Sequence, residues 1–160
     1  MLEFNGLWIS APFDGRQIGL TTVTVRHVKD LATRTIVGRA RYRQRPMLAA
    51  WRTTEVVRVE EGADLSDLCA VRRLPWWDVG IVVVDADGQP VARWRDSQLE
   101  LPRDSLRASV DLKAGRASIA GATIAEWAPE GGGVRLRFVG DSEGRPLLRM
   151  AVLGVVLVET

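Results

Sequence analysis

The chain has 160 residues, of which 46% are hydrophobic and 26% charged, a composition typical of one globular domain spanning residues 1–160. A single cysteine and a single histidine exclude an internal disulfide and a zinc site built from several Cys and His ligands. The net charge is only +2, but 20 of the 22 basic residues are arginine. The surface cations are therefore mostly planar groups that can bind a carboxylate through two hydrogen bonds.

The first half of the chain alternates apolar and polar residues with a period of two, which predicts β-strands. Asp14-Gly15 and Asp87-Gly88 are turn signals between such segments. The predicted strands cover residues 7–10, 20–28, 35–44, 51–60, 79–85 and 90–95. One short helix is predicted over residues 64–73, because Asp64 can cap it, Leu65, Leu68 and Cys69 share one side, and Pro75 ends it.

The second half continues with predicted strands over residues 117–127, 134–139 and 147–158. The last of these contains Met150–Val158, a run that is apolar on both faces and must be buried on both. Such a strand lies centrally in a domain or against a neighbouring subunit. The pattern as a whole predicts an all-β protein, an antiparallel β-sandwich or β-barrel of about eight to nine strands with one short helix near 64–73.

Four arginines occupy every second position of one predicted strand: Arg39, Arg41, Arg43 and Arg45. Alternate residues of a strand point to the same side, so the four guanidinium groups would form a row of about 20 Å. The row is either a solvated face, offset by Glu55 and Glu60 on the next strand, or a surface that binds an acidic partner. Shorter pairs repeat the pattern at Arg93/Arg95 and Arg135/Arg137.

The six tryptophans fall into two groups. Trp8, Trp94 and Trp127 lie in alternating segments and are predicted to be core residues. Trp76 and Trp77 follow Pro75, and adjacent residues at a strand start point in opposite directions, which predicts one buried and one exposed ring. An exposed tryptophan beside Arg72 and Arg73 has the composition of a protein-interaction hot spot.

The segment Phe4-Asn5-Gly6-Leu7-Trp8 resembles the opening of lipocalins and fatty-acid-binding proteins over about five residues. The late arginine of that pattern, which packs on the tryptophan, would be Arg149. The resemblance implies an eight-stranded barrel around a small hydrophobic ligand, with Trp8, Trp94 and Trp127 lining or closing the cavity.

Residues suited to catalysis are few. His27 shares a face with Val23 and Val25, which is typical of a hydrogen-bonded core histidine, and Cys69 is interpreted as a small buried hydrophobe. Residues 85–88 resemble part of a calcium loop, but Gln89 and Pro90 break the pattern. No phosphate-binding glycine loop precedes a helix. We therefore expect a non-enzymatic protein without catalytic residues, metal or cofactor.

The N-terminus lacks the features of a signal peptide, and the longest apolar run has nine residues where a membrane helix needs about 20. We expect a cytoplasmic protein, or one in a particle assembled inside the cell, without membrane contact. The leading hypothesis is a structural or protein-interaction subunit, for example of a phage or tail-type particle, that contacts its own copies or assembly neighbours. The lipocalin-like barrel is the first alternative. Nucleic-acid binding is the second, disfavoured by the near-zero net charge.

Overall fold

The computed structural model describes residues 1–18, 21–44, 50–142 and 144–160. They form thirteen strands and one α-helix, with short 3-10 turns at Pro102–Asp104 and Gly140–Ser142. The strands are β1 (Gly6–Ile9), β2 (Phe13–Ile18), β3 (Thr21–Asp30), β4 (Ile36–Arg43), β5 (Thr54–Glu61), β6 (Ser66–Arg73), β7 (Ile81–Asp85), β8 (Pro90–Arg95), β9 (Gln98–Leu101), β10 (Leu106–Asp111), β11 (Arg116–Ile119), β12 (Ala122–Glu130) and β13 (Gly133–Phe138). The helix, α1, is Pro146–Glu159.

The strands form one antiparallel meander that closes on itself. Each strand from β3 to β13 pairs with its neighbours in sequence. Strand β1 closes the ring, since Leu7 lies opposite Leu136 of β13 on one side and opposite Asp30 of β3 on the other. Strand β2 pairs with the first part of β3, outside this ring of twelve strands. The all-β prediction is confirmed as a barrel, with more strands than the eight to nine expected.

Helix α1 fills the interior of the barrel. All residues from Leu148 to Leu157 are buried, and the helix contacts strands β5 to β9. Eight strands leave an interior that side chains alone can fill, whereas twelve leave a wider one. An α-helix with its side chains is about 10–12 Å across, which suits that space. Side chains from the strands and from α1 therefore form a single continuous core.

The prediction of a final strand over residues 147–158 is wrong, because this segment is α1. An apolar run without periodicity fits a buried strand and a buried helix equally well. The barrel closes through β1 and β13, so the interior offers no free strand edge to pair with. A helix satisfies its own backbone hydrogen bonds and is the conformation that can be buried there.

The helix predicted over residues 64–73 is also wrong. Strand β6 runs from Ser66 to Arg73 between β5 and β7, and Leu65 has φ +56° in the preceding turn. A two-turn helix is marginal by itself, whereas a central strand forms hydrogen bonds on both sides. Strands β9 and β10 were not predicted, although Leu99 and Leu101 alternate with polar residues and are buried in the core.

The two ends of the barrel differ. At the end where α1 begins, the buried guanidinium of Arg149 donates hydrogen bonds to the carbonyl oxygens of Ser142 (3.0 Å), Leu2 (2.8 Å) and Phe4 (3.2 Å). It lies 5.1 Å from the centre of the Phe138 ring, so this arginine packs on Phe138 and not on Trp8. The opposite end, where α1 terminates, is called the C-mouth below. In the described ranges, no helix has both the length and the apolarity needed to cross a bilayer.

Candidate functional site

The predicted arginine row lies on the outer face of β4, where each described member has an acidic partner. Arg39 and Arg41 both pair with Glu60, the latter at 3.1 Å, and Arg43 lies 3.9 Å from Glu55. The two glutamates are on β5, as expected from the sequence, and Glu60 is buried beneath the arginines. Arg45, the fourth predicted member, lies outside the described residues.

Arg58 extends this network onto the next strands. Its guanidinium binds both carboxylate oxygens of Glu55, at 3.0 and 2.8 Å, and Asp67 of β6 at 2.9 Å. These hydrogen bonds raise the pKa of Arg58. Elsewhere, Asp78 pairs with Arg93 and lies 3.7 Å from Arg95. Most of the arginine charge is thus matched on the barrel surface itself, which favours the solvated-face interpretation for the row.

The two arginines predicted beside the tryptophans lie on different faces of β6. Arg72 is half-buried opposite Glu55. Arg73 is opposite Thr54 and Ile81 at the C-mouth, where its guanidinium is 4.0 Å from Glu159 of α1. The pair therefore does not act as one cationic patch.

Four large apolar side chains are exposed on two neighbouring loops at the C-mouth, and we call them the aromatic patch. They are Trp51 (60% exposed), Trp76 (70%), Trp77 (61%) and Val79 (66%). The backbone N–H of Trp76 donates a hydrogen bond to the Ala50 carbonyl at 3.0 Å, and this bond joins the two loops. The Trp76 and Trp77 rings meet edge to face, with centroids 5.7 Å apart.

Both rings of the Trp76-Trp77 pair are exposed, whereas one was expected to be buried. The pair lies in the loop between β6 and β7, where the alternation of a strand does not apply. Asp78 anchors this loop through its ion pairs with Arg93 and Arg95. The contribution of Trp51 was missed, because residues 51–60 were interpreted as strand while β5 starts at Thr54.

The three tryptophans assigned to a ligand cavity do not share one. Trp8 lies on the outer face, where its Nε1 donates to the Glu130 carbonyl at 3.2 Å and Lys29 lies 5.2 Å from its ring. Trp94 and Trp127 lie opposite the core residues Leu99 and Leu136 on separate strands and face the interior. That interior is occupied by α1.

The reactive side chains lie apart. His27 is on the outer face opposite Arg39, with its ring 4.2 Å from that of Phe13, and not in the core as expected. Partial burial, followed by the charges of Lys29 and Arg39, lowers its pKa. Cys69 is buried, and burial raises its pKa to about 12, which leaves the thiol unreactive. In the part of the chain that is described, no three His, Cys, Asp or Glu residues are grouped to hold a metal ion.

Compared with known proteins, the chain matches no family model, no curated protein and no solved structure. The described surface combines a rigid barrel, cations that are largely paired and one concentrated apolar feature, the aromatic patch.

Proposed function

We propose that the protein is a non-enzymatic interaction domain that binds a protein partner through the aromatic patch. The observation that carries the proposal is the exposure of three tryptophans at 60–70% on two joined loops. At about 200 Å² per tryptophan, they present roughly 400 Å². That matches the largest apolar patch of an ordinary monomer and about half of one side of a standard protein interface.

The composition and support of the patch favour a protein partner. Tryptophan and arginine dominate interface hot spots, and the Arg52 guanidinium lies 5.6 Å from the Trp51 ring centre. The ion pairs of Asp78 hold the loop before binding, which reduces the entropy lost on association. The paired arginine row, in contrast, offers few free cations for the phosphates of a nucleic acid. Partners of this kind include further copies of the chain or neighbours in a particle.

The test compares the triple variant Trp51→Ser/Trp76→Ser/Trp77→Ser with the wild type. Ile36→Ser is the matched control, since Ile36 is 58% exposed but lies at the opposite end of the barrel. Size-exclusion chromatography with light scattering measures self-association, and affinity capture with quantitative mass spectrometry measures binding to other proteins from the native source.

We expect the wild type and Ile36→Ser to self-associate or to enrich the same partner, and the triple variant to lose it. Circular dichroism should show that all three proteins are folded. The proposal is wrong if the wild type is strictly monomeric and captures the same proteins as the triple variant.

A further inference from the structure

The outer face of strands β11 to β13 carries three arginines around a single carboxylate. Arg116 lies opposite Glu126, and Glu126 lies opposite Arg137, so one row crosses the three strands. Arg135 is two positions from Arg137 on β13 and points to the same side. All four side chains are exposed, whereas Leu136 between the two arginines of β13 is buried in the core. They therefore share the solvent side of the sheet.

A cleft of about 310 Å³ opens at this row, and all four side chains line it. We call it the β12 cleft. Its other lining residues include Ala114, Gly115 and Ala128, which are small and leave space between the arginines. Gly115 has φ +63°, and a Cβ there would collide with the Trp127 carbonyl oxygen. Small-molecule sites have volumes from about 300 Å³, so the β12 cleft admits a small ligand.

Two of the three arginines at the β12 cleft are unpaired, in contrast to the arginine row on β4. Among the described residues, the guanidinium groups of Arg116 and Arg137 have no hydrogen-bond or ion-pair partner. Glu126 is opposite both of them in the sheet but forms an ion pair with neither. Both arginines can therefore bind an anion without giving up an existing contact.

The neighbouring carboxylates are engaged elsewhere. Asp111, which lies opposite Arg116 on the other side, accepts a hydrogen bond at 2.9 Å from a backbone N–H of the following turn. Arg135 pairs with Glu130 at 3.3 Å, but that carboxylate also binds Arg34 at 3.1 Å. The positive charge of the cleft is thus only partly neutralised by the protein.

The charge of the β12 cleft favours a phosphate group. Three arginines and one glutamate are its described charged side chains, so its formal charge is +2. A phosphate monoester carries about −1.5 to −2 charges at pH 7, and arginine binds phosphate oxygens through paired hydrogen bonds. Glu126 only accepts hydrogen bonds and repels a bare anion. Hydroxyl groups next to the phosphate would supply the donors that this carboxylate needs.

A cleft of similar volume on β8 and β9, about 320 Å³, lacks this unneutralised charge. Its described charged side chains are Arg93, Arg95, Asp96 and Glu100, with a formal charge of zero. Asp78 pairs with both arginines, and Asp96 binds Arg95 at 3.2 Å. The unpaired arginines, and not the volume, therefore distinguish the β12 cleft.

The larger cleft beyond Arg137, of about 670 Å³, has the opposite charge. It lies at the end of the barrel where α1 begins, and Glu3 and Asp30 line it together with Arg137. The formal charge of these described side chains is −1. An anion is therefore favoured on the Arg116 side of Arg137.

We propose that the β12 cleft binds a small phosphorylated polyol, with its phosphate on Arg116 and Arg137 and its hydroxyl groups donating to Glu126. Arg135 adds attraction at the edge of the cleft. Strand β12 lies across the ring from β6 and β7, which are joined by the loop of the aromatic patch. The two sites are therefore separate, and this proposal does not depend on the function proposed for the patch.

The test uses glucose 6-phosphate as the probe, with glucose and inorganic phosphate as counterparts that lack the phosphate or the hydroxyl groups. Each is titrated into the full chain by isothermal calorimetry and by amide NMR, in a buffer free of phosphate and sulfate. We expect saturable one-to-one binding of glucose 6-phosphate, with shifts in amides of β11 to β13. Both counterparts should bind at least tenfold more weakly, because each loses hydrogen bonds to a charged group.

Three variants test the contacts. Arg116→Gln and Arg137→Gln should each weaken glucose 6-phosphate binding about tenfold or more. Glu126→Ala removes both the hydroxyl acceptor and the repulsion, so it should bind inorganic phosphate at least as tightly as the wild type and lose the preference for glucose 6-phosphate. Arg107→Gln is the matched control, because Arg107 is an outer-face arginine of β10 that pairs with Glu100 and does not line the cleft. It should bind like the wild type.

Absence of saturable glucose 6-phosphate binding overturns the proposal. So does wild-type affinity in Arg116→Gln and Arg137→Gln, or an equal loss in Arg107→Gln, which would indicate attraction by the overall charge. Equal affinity for glucose overturns the assignment of a phosphate, and equal affinity for inorganic phosphate overturns the assignment of a polyol. Circular dichroism should show that all variants are folded, as expected for exposed positions.

Discussion

Replacing Gly154 by alanine tests whether α1 packs inside the barrel. Glycine to alanine in an exposed helix interior stabilises by about 1 kcal/mol. Here, however, the added Cβ would lie 2.7 Å from the Val83 Cγ2 and 3.2 Å from the Val71 Cγ2. Overpacking of this kind destabilises by about 1–3 kcal/mol, so the net effect is a loss of about 1 kcal/mol.

Thermal and urea denaturation, followed by circular dichroism, measure the effect. A loss of 1 kcal/mol lowers the Tm of a chain of this size by about 2–4 °C. Val83→Ala alone should destabilise by about 2–3 kcal/mol, because it removes two buried methyl groups and leaves a cavity. In the double variant, the alanine at position 154 enters that cavity. The free energy of unfolding of the double variant should therefore equal or exceed that of Val83→Ala.

Val110→Ala serves as the matched control, because Val110 is buried in the same core on β10, whereas the atoms nearest to the Cβ position of Gly154 belong to Val83 and Val71. Its effect should add to that of Gly154→Ala within about 0.5 kcal/mol. A Gly154→Ala variant that is more stable than the wild type would show that α1 does not face Val83, and would refute the barrel interior described above.

Three further predictions concern other parts of the fold. Leu65 has φ +56° in the turn before β6, and asparagine tolerates this conformation better than leucine. Leu65→Asn should therefore raise the free energy of unfolding, measured by urea denaturation, by about 0.5–1 kcal/mol. Arg149→Met leaves the carbonyls of Ser142 and Leu2 without their donor and should lower stability by about 3 kcal/mol or more in thermal denaturation, whereas an unchanged Tm would contradict a bonding role. Because burial raises the pKa of Cys69 to about 12, Ellman's reagent at pH 8 should label it only after denaturation. In the unfolded chain this thiol ionises near pH 8.5, whereas in the folded protein it stays protonated. The free energy of unfolding should therefore decline above that pH.

Alternation of a buried and a solvated face made many of the strands predictable, although β9 and β10 alternate as well and were missed. Residues 35–44 and 90–95 alternate in this way, and β4 and β8 match them within two residues. The prediction is wrong for β6, where Asp64 imitates a helix cap and Pro75 a helix stop. Cap signals depend on a few local residues, whereas β6 is specified by its pairing with β5 and β7, and pairing across the sheet leaves no local signal.

The candidate sites were predictable only in part. Trp76 and Trp77 were assigned to an interface from their composition alone, and the structure exposes both. Trp51 lies beside this pair because the backbone N–H of Trp76 donates a hydrogen bond to the Ala50 carbonyl and so links the two loops. Barrel closure brings these two loops to one end, and a single sequence does not specify strand order.

The number of strands in the barrel determines the conformation of the last segment. A barrel of eight or nine strands fills its interior with its own side chains, so an apolar C-terminal segment must join the wall as a strand. A twelve-stranded barrel is too wide for its own side chains to fill, so the same segment lies inside it as part of the core. Met150–Val158 lacks a polar face in either conformation, so its sequence cannot decide between them. Strands β6, β9 and β10, together with the division of residues 117–127 between β11 and β12, add four strands to the eight that the alternation predicts for the wall, and the resulting ring of twelve leaves room for a helix.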